Sequence, residues 1–188
     1  MNDAIKGKVS AKLEEAGSGS AIAFEVDMEK YFDFISELLE SFVSAKKIKC
    51  IYVTSSISSA TLIKALDALG VDASNVRFVD CVSKTIFGSA PTLDHVSYVE
   101  GPTMLENIIL KVKYFLKKEK EGALVIVDSA NAFAAYNDIR LLFEFFQILL
   151  NVVRSRGDYA VVVSISNQMR PEVREMLTLV SDQVVNLS

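Results

Sequence analysis

Short apolar runs alternate along this chain with longer segments in which apolar positions recur every three or four residues. The first kind predicts buried strands and the second predicts amphipathic helices. Strands are predicted at Ala21 to Val26, Lys49 to Thr54, Val76 to Cys81, Leu124 to Asp128, Tyr159 to Ile165 and Gln183 to Leu187, with a short one at His95 to Val99. Between them, Tyr31, Phe34, Ile35, Leu38 and Phe42 keep helical spacing in a helix over Met28 to Lys46, with Asp27 placed to cap it. A helix over Ser58 to Leu69 is closed by Gly70. Others are predicted over Thr103 to Lys118 (opened by Gly101-Pro102), over Asn137 to Ser155 (stopped at Gly157) and from Pro171 to about Val180. Ile5, Val9 and Leu13, spaced by four, predict a short N-terminal helix ending in the turn Gly17-Ser18-Gly19-Ser20. The stretch Ser83 to Asp94, with Gly88 and Pro91, reads as a surface segment, and Ala130 to Tyr136 reads as a loop. Strands alternating with helices of this length predict a mostly parallel sheet covered on both faces, a three-layer α/β/α fold. We expect residues 1–188 to form one domain, with residues 1–20 as its N-terminal helical segment and turn.

Composition narrows the function classes. The chain has 188 residues, of which 51% are hydrophobic, enough to bury a sizeable core and too many for extensive disorder. A net charge of −4 argues against broad nucleic-acid or anionic-membrane binding. Lys111, Lys113, Lys117, Lys118 and Lys120 cluster at a helix end, but Glu119 and Glu121 interrupt them, and lysines there complement the helix dipole. Cys50 and Cys81 lie at or near strand ends without metal-ligand spacing and read as small core residues of a reducing compartment. Met1-Asn2-Asp3-Ala4 lacks the basic start and apolar run of a secretory signal. The greasiest stretch, Leu141 to Val153, is broken by Glu144, Gln147 and Asn151 and is too short for a bilayer. The expectation is a cytoplasmic protein with no membrane partner and no nucleic-acid partner.

The chemistry that stands out is at Leu124-Val125-Ile126-Val127-Asp128-Ser129, a buried strand delivering a carboxylate at its C-terminal edge. In phosphate-binding α/β proteins such a carboxylate faces Mg²⁺ opposite a glycine-rich loop. That loop requires G-x-x-x-x-G-K-[ST], so that bare backbone N–H groups wrap the phosphates. No such run exists here; the eight glycines are scattered, and Gly17-Ser18-Gly19-Ser20 is not followed by Lys. Asp128 is then either a residual metal ligand or a strand-end carboxylate held by local donors. His95 has no partner at ligand spacing. Asn131, Asn137 and Asp138 either line a pocket at the strand ends or serve ordinary turns. Neither a metal site nor a cofactor is expected.

Several pieces in order resemble the RecA-like ATPases of the KaiC type. Ile51 to Gly70 followed by Val76 to Asp80 resembles their second strand-helix-strand unit. Val125 to Asp128 with Ser129 resembles their Walker B strand, and Val161 to Ser166 with Met176 to Leu187 resembles their late strands. Leu13-Glu14-Glu15 and the turn into Ala21 to Glu25 sit where that family approaches its phosphate loop. The resemblance implies a RecA-like core with strand order 7-1-6-5-2-3, strands numbered along the chain and the fourth left unplaced. An ungapped match puts Lys30 on the phosphate-binding lysine, but Phe24, Glu29 and Tyr31 stand where Gly, Gly and Ser/Thr belong. Asp27 and Glu29 would crowd a phosphate with negative charge. Where the family places a carboxylate pair after the second strand, this chain has Ser56-Ile57, which cannot act as a base. Lys30 remains open as a phosphate ligand or an exposed helix lysine. Lys30, Asp128, Ser129 and Asp27 thus outline a vestigial nucleotide site, and no catalytic residue is expected.

The reading that follows is a catalytically silent ATPase-fold protein acting as a regulatory or protein-binding subunit. The alternative is a sensory domain that holds a small metabolite or nucleotide without turnover. Between Ile139 and Val153 the polar residues Arg140, Glu144, Gln147 and Asn151 form one narrow stripe. The rest of that helix is Ile, Leu, Phe or Val, more apolar surface than one sheet face requires. The second face is covered either by neighbouring helices or by another copy. A homodimer through Leu142, Phe143, Phe146 and Leu150, flanked by Phe133 and Tyr136, is the expectation.

Overall fold

The computed structural model describes residues 5, 7–88, 93–120 and 122–188. Met1-Asn2-Asp3-Ala4, Pro91 and Glu121 lie outside the described residues. Seven strands form one sheet: β1 Ala21–Val26, β2 Lys49–Thr54, β3 Val76–Asp80, β4 Val96–Tyr98, β5 Ala123–Asp128, β6 Tyr159–Ile165 and β7 Gln183–Asn186. Every neighbouring pair is parallel, in the order β4-β3-β2-β5-β6-β1-β7. Read from the other edge this is the implied order, with the fourth strand placed at the edge beside β3.

Helices cover both faces. Side-chain alternation along each strand divides the core in two. Ile22, Phe24, Cys50, Tyr52, Phe78, Leu124, Ile126 and Val163 face α1 (Lys8–Ala16), α2 (Tyr31–Glu37) and α3 (Ser59–Ala68). Ala23, Ile51, Val53, Val79, Val125, Val127 and Val162 face α5 (Leu105–Leu116), α6 (Ala130–Tyr136), α7 (Ile139–Ser155) and α8 (Pro171–Val180). Burial on both faces explains why the central strands are continuously apolar rather than alternating. Cys50 and Cys81 are free and buried, and burial pushes both thiols up.

Four expectations need correction. The segment Ala130–Tyr136 is a helix, not a loop: Ser129 caps it by accepting from the Ala132 amide at 3.3 Å, and its alanines favour the helical state. The surface stretch contains a short helix, α4 (Ser83–Phe87). The helix expected from Thr103 begins at Leu105. Asp27 stands at the entry of the 3₁₀ turn Met28–Lys30 but does not cap it with its side chain. It accepts instead from the Ser166 hydroxyl. From that turn the helix runs on through α2 and continues over Leu38–Ser44 with wider, π-type turns.

Candidate functional site at the strand ends

The carboxyl ends of β1, β6, β5, β2 and β3 meet along one edge of the sheet, the place where open parallel sheets bind ligands. Asp128 closes β5 there. Its even register puts it on the α2 face with Leu124 and Ile126, and it is 1% exposed. Two phenols meet it. Tyr52, on the neighbouring strand, donates to Oδ2 at 2.6 Å, and Tyr31, in the first turn of α2, donates to the same oxygen. The two phenol oxygens are 3.0 Å apart. Each phenol has one proton, so with both donated to Asp128 this approach is a contact and not a third hydrogen bond. Burial pushes the Asp128 carboxyl up, and the two tyrosine hydrogen bonds only partly oppose that. Burial also pushes both phenols up, with the Asp128 charge adding to it.

The connection before Tyr31 is short. Asp27 alone separates β1 from the 3₁₀ turn that runs directly into α2, so no wide loop of free amides exists at this point. Lys30 does not point to Asp128. Its Nζ donates to the Leu187 carbonyl at 3.2 Å and lies 3.5 Å from Asp27 Oδ2, beside the last strand. Asp27 in turn ties β1 to the end of β6 through Ser166. Ser129 serves α6 as its cap, and its amide donates to the Ser55 hydroxyl at 3.2 Å. The Ser55 amide and hydroxyl both donate to the Asp128 carbonyl, at 2.8 and 3.0 Å. The Asp128-Ser129 peptide is cis. Of the four residues of the expected vestigial site, Asp128 and Ser129 sit together and Asp27 and Lys30 form a separate pair.

These residues do not fit a Mg²⁺-bound phosphate. Asp128 Oδ2 already accepts from two phenols, and the residue is 1% exposed. In the ungapped match Tyr31 stands where a phosphate loop would carry its metal-binding Ser/Thr, and here its side chain reaches the carboxylate itself. Among the described residues, no group of three or more His, Cys, Asp or Glu is arranged to hold a metal ion. Ser56 is exposed and Ile57 is half-buried at the β2 end.

A second buried carboxylate, Asp80, escaped the sequence reading. It closes β3 with no exposure and accepts five hydrogen bonds. Three come from the Ser59, Val82 and Ser83 amides, each at 2.8 Å, and two from the Ser59 and Ser83 hydroxyls at 2.6 and 2.7 Å. Burial raises its carboxyl, but the donors outweigh burial and hold it below the usual range. It is a structural anchor for α3 and α4. Its signal was a serine-rich pair of helix starts facing a strand-end aspartate.

The remaining candidates have structural partners. Asn131 accepts from the Ile165 amide at 2.7 Å and donates to its carbonyl at 3.3 Å, closing the end of β6. Asn137 donates to the Pro102 and Phe133 carbonyls at 3.2 and 2.9 Å. Asp138 caps α7 by accepting from the Arg140 amide at 2.8 Å. The His95 carbonyl accepts from the Phe78 amide at 2.8 Å. The expected dimer contact also changes. Leu142, Phe146 and Leu150 have no exposure, Phe143 packs partly buried against the same core, and Phe133 is buried. Within the same chain α7 packs on β6 and against α5, α6 and α8, and these residues belong to that shared core. The outward apolar residues of α7 are Leu141 and Ile148, with Tyr136 exposed just before it.

Solved structures that share the fold include two that align with most of this chain. One is the KaiC-like protein PH0186 from the hyperthermophilic archaeon Pyrococcus horikoshii OT3, at 14% identity and a TM-score of 0.68, with 98% of this chain and 79% of that chain covered. The other is the flagellar accessory protein FlaH from Methanocaldococcus jannaschii, at 12% identity and a TM-score of 0.58, covering 90% and 71% of the respective chains. At these identities the likeness establishes the three-layer α/β fold with its parallel sheet, as found in RecA-like cores. No curated protein matches the sequence. Residues 35–188 match the model of a family of unknown function (DUF7090), and the chain belongs to that family.

Proposed function

We propose that this chain is one RecA-like domain whose nucleotide site has been rebuilt as core, and that it acts as a regulatory or protein-binding subunit. The observation that carries the reading is the Tyr31–Asp128–Tyr52 cluster. It places two phenols on the carboxylate that an ATPase of this fold would turn toward Mg²⁺. The short β1–α2 connection and the turning of Lys30 toward Leu187 support it. A protein that keeps the fold but seals the site retains its surfaces as its means of action. We further propose that it pairs with a second copy through the outer side of α7.

The test is Mg-ATP hydrolysis by the purified protein, paired with thermal melting in millimolar ATP and ADP. No turnover above background and no shift are expected. Binding at a hundredfold excess over the dissociation constant would add about 2.7 kcal/mol, which melting would readily show. Hydrolysis abolished by Asp128→Asn would overturn the reading by revealing a working metal site. A shift of several degrees without turnover would replace it with the sensory alternative.

A further inference from the structure

The sheet ends at β4, and between this edge strand and α5 lies an open groove of about 920 Å³, away from the Asp128 cluster. Its walls carry four cations, Arg77, Lys84, Lys111 and Lys118, against two carboxylates, Asp94 and Glu100. With Glu119, which neighbours Arg77, the count is four cations against three carboxylates, a local positive balance on a chain whose net charge is −4. Two of the cations have partners: Lys84 lies 3.1 Å from Glu100, and Arg77 lies 3.9 Å from Glu119. Among the described residues, no carboxylate lies within ion-pair distance of Lys111 or Lys118. Lys118 instead rests over the Tyr114 ring at 4.2 Å. Positions 111 and 114 share one side of α5, and Lys118 follows in the turn just past its end, from which it reaches back over Tyr114. Beside them Leu110 is 61% exposed and Tyr114 is 52% exposed.

We infer that this groove binds an acidic peptide segment of a protein partner that also carries apolar side chains. The charge complementarity is local and opposite to that of the whole chain, which favours one anionic partner at one place. The exposed Leu110 and Tyr114 beside the cations ask for apolar side chains as well as carboxylates. A small anion would have to displace Glu100, which already draws on the charges of Lys84 and Lys111. Nucleic acid fits less well, because Asp94 and Glu100 lie in the groove and the chain is acidic overall. The inference rests on the protein-binding role proposed above and supplies the chemistry of its partner.

The test is fluorescence anisotropy at low salt, using a short fluorescein-labelled peptide of Glu, Leu and Gly. A matching peptide with Lys in place of Glu serves as control. The Glu peptide is expected to bind, to weaken as salt rises, and to lose at least about tenfold in affinity to the double variant Lys111→Glu, Lys118→Glu. The Lys peptide is expected not to bind. Lys118 is exposed and Lys111 is half-buried, so melting of the double variant is compared with the wild type as a check on folding; Tyr114→Ala, expected to weaken binding with no change of charge, gives a second reading. Absence of binding at about 0.1 mM peptide, the weak end of recognition, overturns the inference. So does equal binding by wild type and the double variant. A single-stranded oligonucleotide that binds more tightly than the Glu peptide, and is lost in the same variant, assigns the cations to nucleic acid and also overturns it. None of these residues touches Asp128. A failure here therefore leaves the sealed site standing, while ATP turnover would remove that reading and leave the groove to its own test.

Discussion

Asp128 and Asp80 are both buried strand-end carboxylates, yet their environments push them in opposite directions. The difference is the number of donors. Five hydrogen bonds, three of them from backbone amides fixed by two helix starts, overcome burial at Asp80. Two phenols do not overcome it at Asp128. A carboxyl raised in the folded state contributes stability that is present below its unfolded pKa and lost as pH rises through its folded pKa. Asp128→Asn should therefore gain on the wild type as pH increases, which urea midpoints measured from about pH 4 to about pH 8 would show. Tyr31→Phe removes one donor from a buried acceptor and should cost about 1–3 kcal/mol at constant pH. At Asp80 the sign reverses: its contribution is present above the unfolded pKa and is lost as pH falls through the folded one. Asp80→Ala strands three buried amides and should cost upwards of about 3 kcal/mol near neutral pH, less in acid. A neutral-pH cost for Asp80→Ala as small as that of a surface change would show that the five donors find other partners.

At the level of elements, periodicity and end signals carried most of the reading. The bounds of β1, β2, β6 and α8 stand where the apolar runs and Pro171 put them. These segments are long or continuously buried, so pattern and tertiary need agree. The segment Ala130–Tyr136 was not legible as a helix because seven residues are too few to show a period and loop-like Asn131 dominates the local pattern. What makes it helical is its cap at Ser129 and the docking of Phe133 into the core. Ser129→Ala should accordingly cost about 1 kcal/mol in urea unfolding. The Asp128 cluster was half legible. The register that placed Tyr31 on the metal-binding Ser/Thr was visible, but its reach to Asp128 depends on Tyr52, from another strand, and on the tight entry into α2. The burial of α7 was misjudged for a related reason: three helices pack beside it on the same sheet face, and contacts of that range leave no mark on its own sequence. Phe146→Ala should cost about 3–5 kcal/mol, the penalty of a core cavity rather than of a lost surface contact.

Self-association is a property of the whole molecule, and its candidate surface shifts with the packing of α7. Leu141 is 55% exposed and Ile148 is 51% exposed, and both line a groove with Met104 at the start of α5. Exposed Tyr136 extends the apolar surface toward α6. A stable pair of copies needs about 800 Å² buried on each, which α7 alone does not supply and the adjoining α5 surface helps to provide. A contact made by one helix face on two copies closes on itself, so the expected product is a dimer and not a filament. Sedimentation at tens of micromolar, about the range in which such interfaces populate, should show that dimer. Leu141→Glu and Ile148→Glu should each shift it toward monomer while leaving the melting temperature within a few degrees of the wild type, because neither side chain is needed by the core. Phe146→Glu should instead unfold the chain, which separates a surface effect from a core effect. A wild type that sediments as a monomer at these concentrations would refute the dimer, and a dimer indifferent to both surface changes would place the contact elsewhere on the molecule.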